Sequence, residues 1–195
     1  LHERKIMEIA NAIDSRRGKI QLVTIAGPSS SGKTTFLKRL SVQLRVLGIN
    51  VIGISLDNYF VNRDRTPIDE FGQPDFESIE AIDLELFNEQ LERIINYEEV
   101  EIPEFDFMKG SRKETGSKVQ IDRNTIIIIE GIHGLNERLT ERIPRDKKLK
   151  LYVSALTQIN VDASHRISTT DNRLIRRIVR DYMFRNHSAD QTFDM

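Results

Sequence analysis

The sequence predicts an α/β domain, a mostly parallel sheet with helices on both faces. Three observations carry that expectation. Apolar runs of strand length alternate with segments of helical spacing through most of the 195 residues. The run from Ile20 to Ala26 leads directly into G-P-S-S-S-G-K-T at Gly27 to Thr34, which opens a helical pattern. Two further runs end at an acid, Asp57 and Glu130. Open α/β sheets bind ligands at the carboxyl ends of their strands, so these features are expected to meet at one edge.

The elements follow in order. Ile6, Ile9, Ala10 and Ile13 have helical spacing, so residues 1–18 are expected to hold a leading helix. Leu1 is not an initiator methionine, and that helix is expected to link a preceding domain to a main domain over 19–195. The first strand is expected at about 20–26. In the helix after the glycine-rich loop, Phe36, Leu37, Leu40, Leu44 and Leu47 share a face, and Gly48 is its stop signal. A second strand, Val51 to Leu56, ends at Asp57. Residues 61–75 are polar, contain Pro67, Gly72 and Pro74, and are long enough to suspect a function. Ile82, Leu86, Ile94 and Ile95 lie in a helical stretch. Glu101 to Phe107 and Lys118 to Ile121 are expected to pair as a small hairpin insertion around a basic loop. Thr125 to Ile129 is the continuous β-branched run of a buried parallel strand. A further strand is expected near 149–153 and a long helix near 171–186.

The loop's spacing has a chemical meaning. Glycines let the backbone curl so that successive N–H groups face one anion, and the following helix adds the partial positive charge of its N-terminus. Gly27, Ser29, Ser30, Ser31, Gly32, Lys33, Thr34 and Thr35 are the candidate nucleotide-binding residues. Lys33 can reach the outer phosphates, and the Thr34 hydroxyl can ligate Mg²⁺. Asp57 or Glu130 can hold Mg²⁺ through water or accept a proton from an attacking hydroxyl. Arg173, Arg176, Arg177 and Arg180 fall at i, i+3, i+4 and i+7. Like charges at that spacing destabilise a bare helix by about 0.2–0.5 kcal/mol per pair, which a triphosphate would relieve. An arginine-bearing lid that closes over the phosphates and excludes water is therefore expected. Leu174, Ile175, Ile178 and Val179 would form its apolar face, and Asp181 would pair with Arg177.

Composition narrows the class. Hydrophobic residues at 38% and charged residues at 30% suit a soluble enzyme, and a net charge of −1 gives no reason to expect nucleic acid. With no cysteine, disulfides, a thiol nucleophile and a cysteine zinc site are excluded. No apolar stretch approaches membrane-spanning length and no secretory signal is visible, so no membrane partner and a cytoplasmic location are expected.

Five motifs appear in order: G-P-S-S-S-G-K-T, then S-L-D-N-Y-F at 55–60, P-E-F-D-F at 103–107, I-I-E-G-I-H at 128–133 and R-L-I-R-R-I-V-R-D at 173–181. Together they resemble the uridine kinase and phosphoribulokinase family of P-loop kinases, from about residue 20 to the end. The resemblance implies a P-loop kinase fold and transfer of the γ-phosphoryl of ATP, with Mg²⁺, to an alcohol, most often the 5′-hydroxyl of a pyrimidine nucleoside. It implies Asp57 as base near Mg²⁺, Glu130 as Mg²⁺ partner, Arg173 turned toward the acceptor and Arg176 toward phosphate; Arg180, one turn on in the same row, is a further candidate for the triphosphate. It also implies a further strand and helix beyond Met195.

The departures concern the acceptor. Where nucleoside-specific relatives carry an aspartate for the ribose and a tyrosine and histidine for the base edge, this chain has Glu77, Phe105 and Gly110. Glu77 can still accept from ribose hydroxyls, whereas Phe105 and Gly110 supply no polar contact, so weak discrimination among acceptors is expected. Phe60, Phe76 and Phe107 can form an apolar clamp, with Phe105 beside them as a further acceptor-site residue. Lys109, Arg112 and Lys113 read either as a solvated hairpin tip or as cations for an anionic acceptor, and a competing acceptor class is a sugar phosphate or other small alcohol. His187 falls where the family tends to place a lid arginine. The expected partner is a small-molecule alcohol, most simply a nucleoside, with self-association allowed. A competing reading is a nucleotide-binding switch that controls an attached domain, although a switch has no need of Asp57 and the aromatics after it.

Overall fold

The computed structural model describes residues 2–154, 162–165, 167–185 and 188–193; His187 lies outside them. In chain order the strands are β1 (Leu22–Ala26), β2 (Asn50–Ser55), β3 (Val100–Ile102), β4 (Phe105–Asp106), β5 (Ser111–Arg112), β6 (Ser117–Val119), β7 (Thr125–Glu130) and β8 (Lys148–Tyr152). The helices are α1 (His2–Asp14), α2 (Lys33–Val46), α3 (Leu84–Ile95), α4 (Thr169–Arg185) and α5 (Ala189–Phe193). Four strands make one parallel sheet in the order β2-β7-β1-β8.

The two central strands explain their own composition. β1 and β7 are covered on both faces, so each reads as an unbroken apolar run. Side chains alternate between faces, and the core divides accordingly. Leu22, Ile127 and Ile129 join Phe87, Leu91 and Ile94 of α3 and Phe105 of the insertion. Val23, Ile25, Ile126 and Ile128 join Leu40 and Leu44 of α2 and Ile6, Ala10 and Ile13 of α1.

The leading helix is thus a layer of the same core. Ile6, Ala10 and Ile13 are fully buried. Ile13→Ala should lower stability by about 2–5 kcal/mol, the usual range for a buried isoleucine truncated to alanine. Urea denaturation would show a lower midpoint at unchanged slope. An unchanged midpoint would mean that α1 adds nothing to the fold.

The expected hairpin is broken into two ladders, β3 with β6 and β4 with β5. Pro103 stands between β3 and β4 and has no N–H to continue the pairing. The basic loop also differs from expectation. Arg112 turns inward, donating to Asp83 Oδ2 from both terminal nitrogens at 3.1 Å and to the carbonyl oxygens of Phe60 and Tyr59. Lys113 pairs with Glu104. Arg112 therefore ties the insertion to Asp83 and to the turn at Tyr59 and Phe60, while the Lys113 pair lies within the insertion. No described helix is long and apolar enough to cross a membrane.

Candidate active site

Strand order brings the loop and both acids to one edge. The loop follows β1, and Glu130 is the last residue of the adjacent β7. Asp57 follows β2, which is separated from β1 by β7, with Ser55 opposite Glu130. Asp57 reaches the site because the chain turns into a 3-10 helix at Leu56–Tyr59. Tyr59 anchors that turn, its buried hydroxyl donating to Gln90 Oε1 at 2.8 Å.

A cavity of about 430 Å³ opens here, within the range of small-molecule sites. The loop contributes Ser29, Ser30, Gly32, Lys33, Thr34 and Thr35, and α4 contributes Arg176, Arg177 and Arg180. Asp57 and Glu130 line it together with Phe60, Phe76, Phe105, Phe107, Glu77 and Arg63. The aromatic residues share edge-to-face contacts around Phe60, whose ring centroid lies 5.9 Å from Phe76, 5.7 Å from Phe105 and 6.3 Å from Phe107. Phe60 and Phe105 are buried and serve core and cavity wall at once.

The loop is shaped to meet an anion. A Cβ on Gly27 would lie 2.5 Å from the Val153 carbonyl oxygen, so only glycine fits there. Gly32 has φ of 96° and Ser30 φ of 60°, the left-handed turns that curl the backbone. The hydroxyl oxygens of Ser30 and Ser31 are buried with no hydrogen-bond partner among the described residues. Lys33 Nζ donates to the carbonyl oxygens of Gly27 at 2.9 Å and Pro28 at 3.2 Å. Burial pushes the Lys33 pKa down, opposed by the charges of Glu130 and Asp57. The Thr34 hydroxyl donates to Glu130 Oε1 at 2.9 Å. Burial raises the Glu130 pKa, against that hydrogen bond.

These residues fit Mg²⁺. Thr34, Glu130 and Asp57 offer hard oxygen donors beside the loop, as this ion requires. Among the described residues no group of three or more acids or histidines could hold a metal alone. That suits an ion that keeps waters and substrate phosphates in its shell.

The arginines of α4 lie against the loop. Arg180 donates to Ser29 Oγ at 2.8 Å, and Arg173 to the Ser29 carbonyl oxygen at 3.3 Å. Seven residues apart, they share a helix face and bracket Ser29. Arg173 therefore sits against the phosphate loop. Buried Asp181 accepts from Arg180 Nε at 2.8 Å and also forms the expected ion pair with Arg177, Oδ2 to Nε at 3.7 Å. The apolar face of α4 is only partly covered, with Ile175 60% and Val179 51% exposed.

Sequence reasoning missed Arg63, Arg177 and Ile132 as cavity-lining residues. It also gave His133 no role; burial holds the pKa of this partly buried ring down. The suspected function of the 61–75 loop was the only signal for Arg63.

Comparison with known proteins agrees with this geometry. Residues 22–195 match the model of the phosphoribulokinase / uridine kinase family. The chain belongs to that family. A uridine kinase of Bacillus pumilus is 32% identical over 178 residues, spanning 91% of this chain and 75% of the relative. Among solved structures, a protein from Bacillus stearothermophilus described as a "Possible Uridine Kinase" superposes with a TM-score of 0.62 at 21% identity, over 78% of this chain and 81% of the other. The YGR205w protein superposes with a TM-score of 0.58 at 15% identity, over 95% and 78%. At those identities the structural likeness is one of fold. The fold is that of a P-loop kinase, and the protein is a kinase of this family.

Proposed function

We propose that the protein transfers the γ-phosphoryl group of ATP to the hydroxyl of a small alcohol, most simply the 5′-hydroxyl of a nucleoside. The observation that carries this reading is the convergence of Lys33, Thr34, Asp57 and Glu130 in one cavity walled by four phenylalanines. The name uridine kinase carried by the Bacillus pumilus relative supports a nucleoside as acceptor.

The phosphate loop and Lys33 bind the triphosphate, and Arg173, Arg176 and Arg180 neutralise charge on it. Thr34, Asp57 and Glu130 hold Mg²⁺. That ion, when bound, offsets charge on the phosphate oxygens during transfer. Asp57 takes the proton of the acceptor hydroxyl as its oxygen bonds to phosphorus and the bond from phosphorus to the bridging oxygen of ADP breaks. Glu77 accepts from acceptor hydroxyls, and Phe60, Phe76, Phe105 and Phe107 clamp an apolar or planar part of the acceptor. Closure of α4 over the site would keep out water, the competing acceptor.

An acceptor screen tests the reading. ATP consumption with Mg²⁺ should rise many-fold with one alcohol among uridine, cytidine, other ribosides and small sugar alcohols or sugar phosphates. Slow hydrolysis indifferent to every acceptor would overturn it in favour of a nucleotide switch.

A further inference from the structure

Position 110, where no side chain exists, is not empty. Gly110 sits at the turn between β4 and β5 with φ of 67°. A Cβ built there would lie 2.8 Å from Arg63 Nε and 3.0 Å from Arg63 Cζ. The guanidinium occupies the space that a residue at 110 would claim. The backbone fixes this arrangement, since Arg63 N donates to the Gly110 carbonyl oxygen at 2.9 Å and Gly110 N to the Asp106 carbonyl oxygen at 2.7 Å.

Arg63 differs in kind from the other arginines of the acceptor loops. Arg112 is held by Asp83 and two carbonyls, and Arg138 by Glu80. Among the described residues the Arg63 guanidinium has no hydrogen-bond or ion-pair partner, although it lines the cavity with Phe60, Phe76, Phe105, Phe107 and Glu77. Guanidinium presents parallel N–H donors in one plane and no acceptor. Its best complement is a pair of adjacent lone-pair atoms in that plane.

We propose that Arg63 is the specificity-determining residue for the acceptor, selecting a molecule that offers two adjacent coplanar lone-pair atoms. This rests on the kinase reading above. Two sources carry that chemistry. One is the edge of cytosine, where O2 and N3 both accept. The other is a carboxylate on a small alcohol. Uracil lacks the pair, because its N3 carries a hydrogen between the two carbonyls. The phenylalanine walls suit a planar ring, and Glu77 suits hydroxyls on the same molecule.

The test compares cytidine, uridine and glycerate as acceptors for the wild type, Arg63→Gln and Gly110→Ala. Arg63 is exposed, so its loss leaves the core untouched, and the alanine methyl displaces the guanidinium by an independent route. Wild type should favour cytidine or glycerate over uridine by at least tenfold in kcat/KM. Either substitution should remove that preference mainly through KM, leaving uridine and ATP affinity near wild type. Arg63→Lys should restore glycerate in part, because it keeps the charge, and cytidine little, because it loses the fork. Binding of the three acceptors, read by calorimetry beside a non-hydrolysable ATP analogue, separates the two levels. Binding that depends on Arg63 without phosphorylation would sink the kinase reading and keep the specificity claim. Equal use of uridine and cytidine with no turnover of glycerate, an unchanged ranking in Arg63→Gln, or no binding of any of the three would overturn it.

Discussion

Asp57→Asn is expected to lower the acceptor-dependent rate by about 10² to 10⁴-fold, the usual contribution of a general base. The asparagine keeps the size and hydrogen bonding of Asp57 but cannot take the acceptor's proton. Asp57 lines the cavity with Lys33 and Glu130 and contributes to the electrostatic balance at both. Part of the loss will therefore come from the removed charge. Steady-state kinetics with the best acceptor, paired with calorimetry of ATP binding, separates these effects. ATP should still bind while kcat falls. A variant with near wild-type kcat would place the proton acceptor on another group.

Lys33→Ala should lower turnover by about 10² to 10³-fold, comparable to removing one group that stabilises transition-state charge, and should weaken ATP binding as well. This ammonium donates to the carbonyls of Gly27 and Pro28, and so braces the loop. The core lies elsewhere, so a cooperative melt should persist in the variant. Calorimetry showing unchanged ATP affinity, with unchanged activity, would remove the phosphate-binding role from this loop.

The fold was legible because its signals are local. The G-P-S-S-S-G-K-T spacing, the β-branched run of β7 and the periodicity of α2 and α3 each depend on residues close in the chain. Their observed bounds differ from expectation by only a few residues. The meeting of Asp57 and Glu130 was also accessible, because strand ends of an α/β sheet share an edge.

What the sequence determined by itself, then, was the parallel α/β fold, the phosphate loop and the two acids at the strand ends. Tertiary structure decided the rest, because each remaining question turned on residues far apart in the chain. Arg112 reads as a surface cation until Asp83, 29 positions away, is seen beneath it. Arg173 reads as one of a row of helix cations, and packing sets it against Ser29, 144 positions earlier. The apolar spacing of the first helix does not say what it packs on, and packing sets Ile6, Ala10 and Ile13 in one core with α2. Gly110 reads as a lost contact until the Arg63 guanidinium is found in its place. Charge and apolarity belong to the residue, but the partner that satisfies them is chosen by packing.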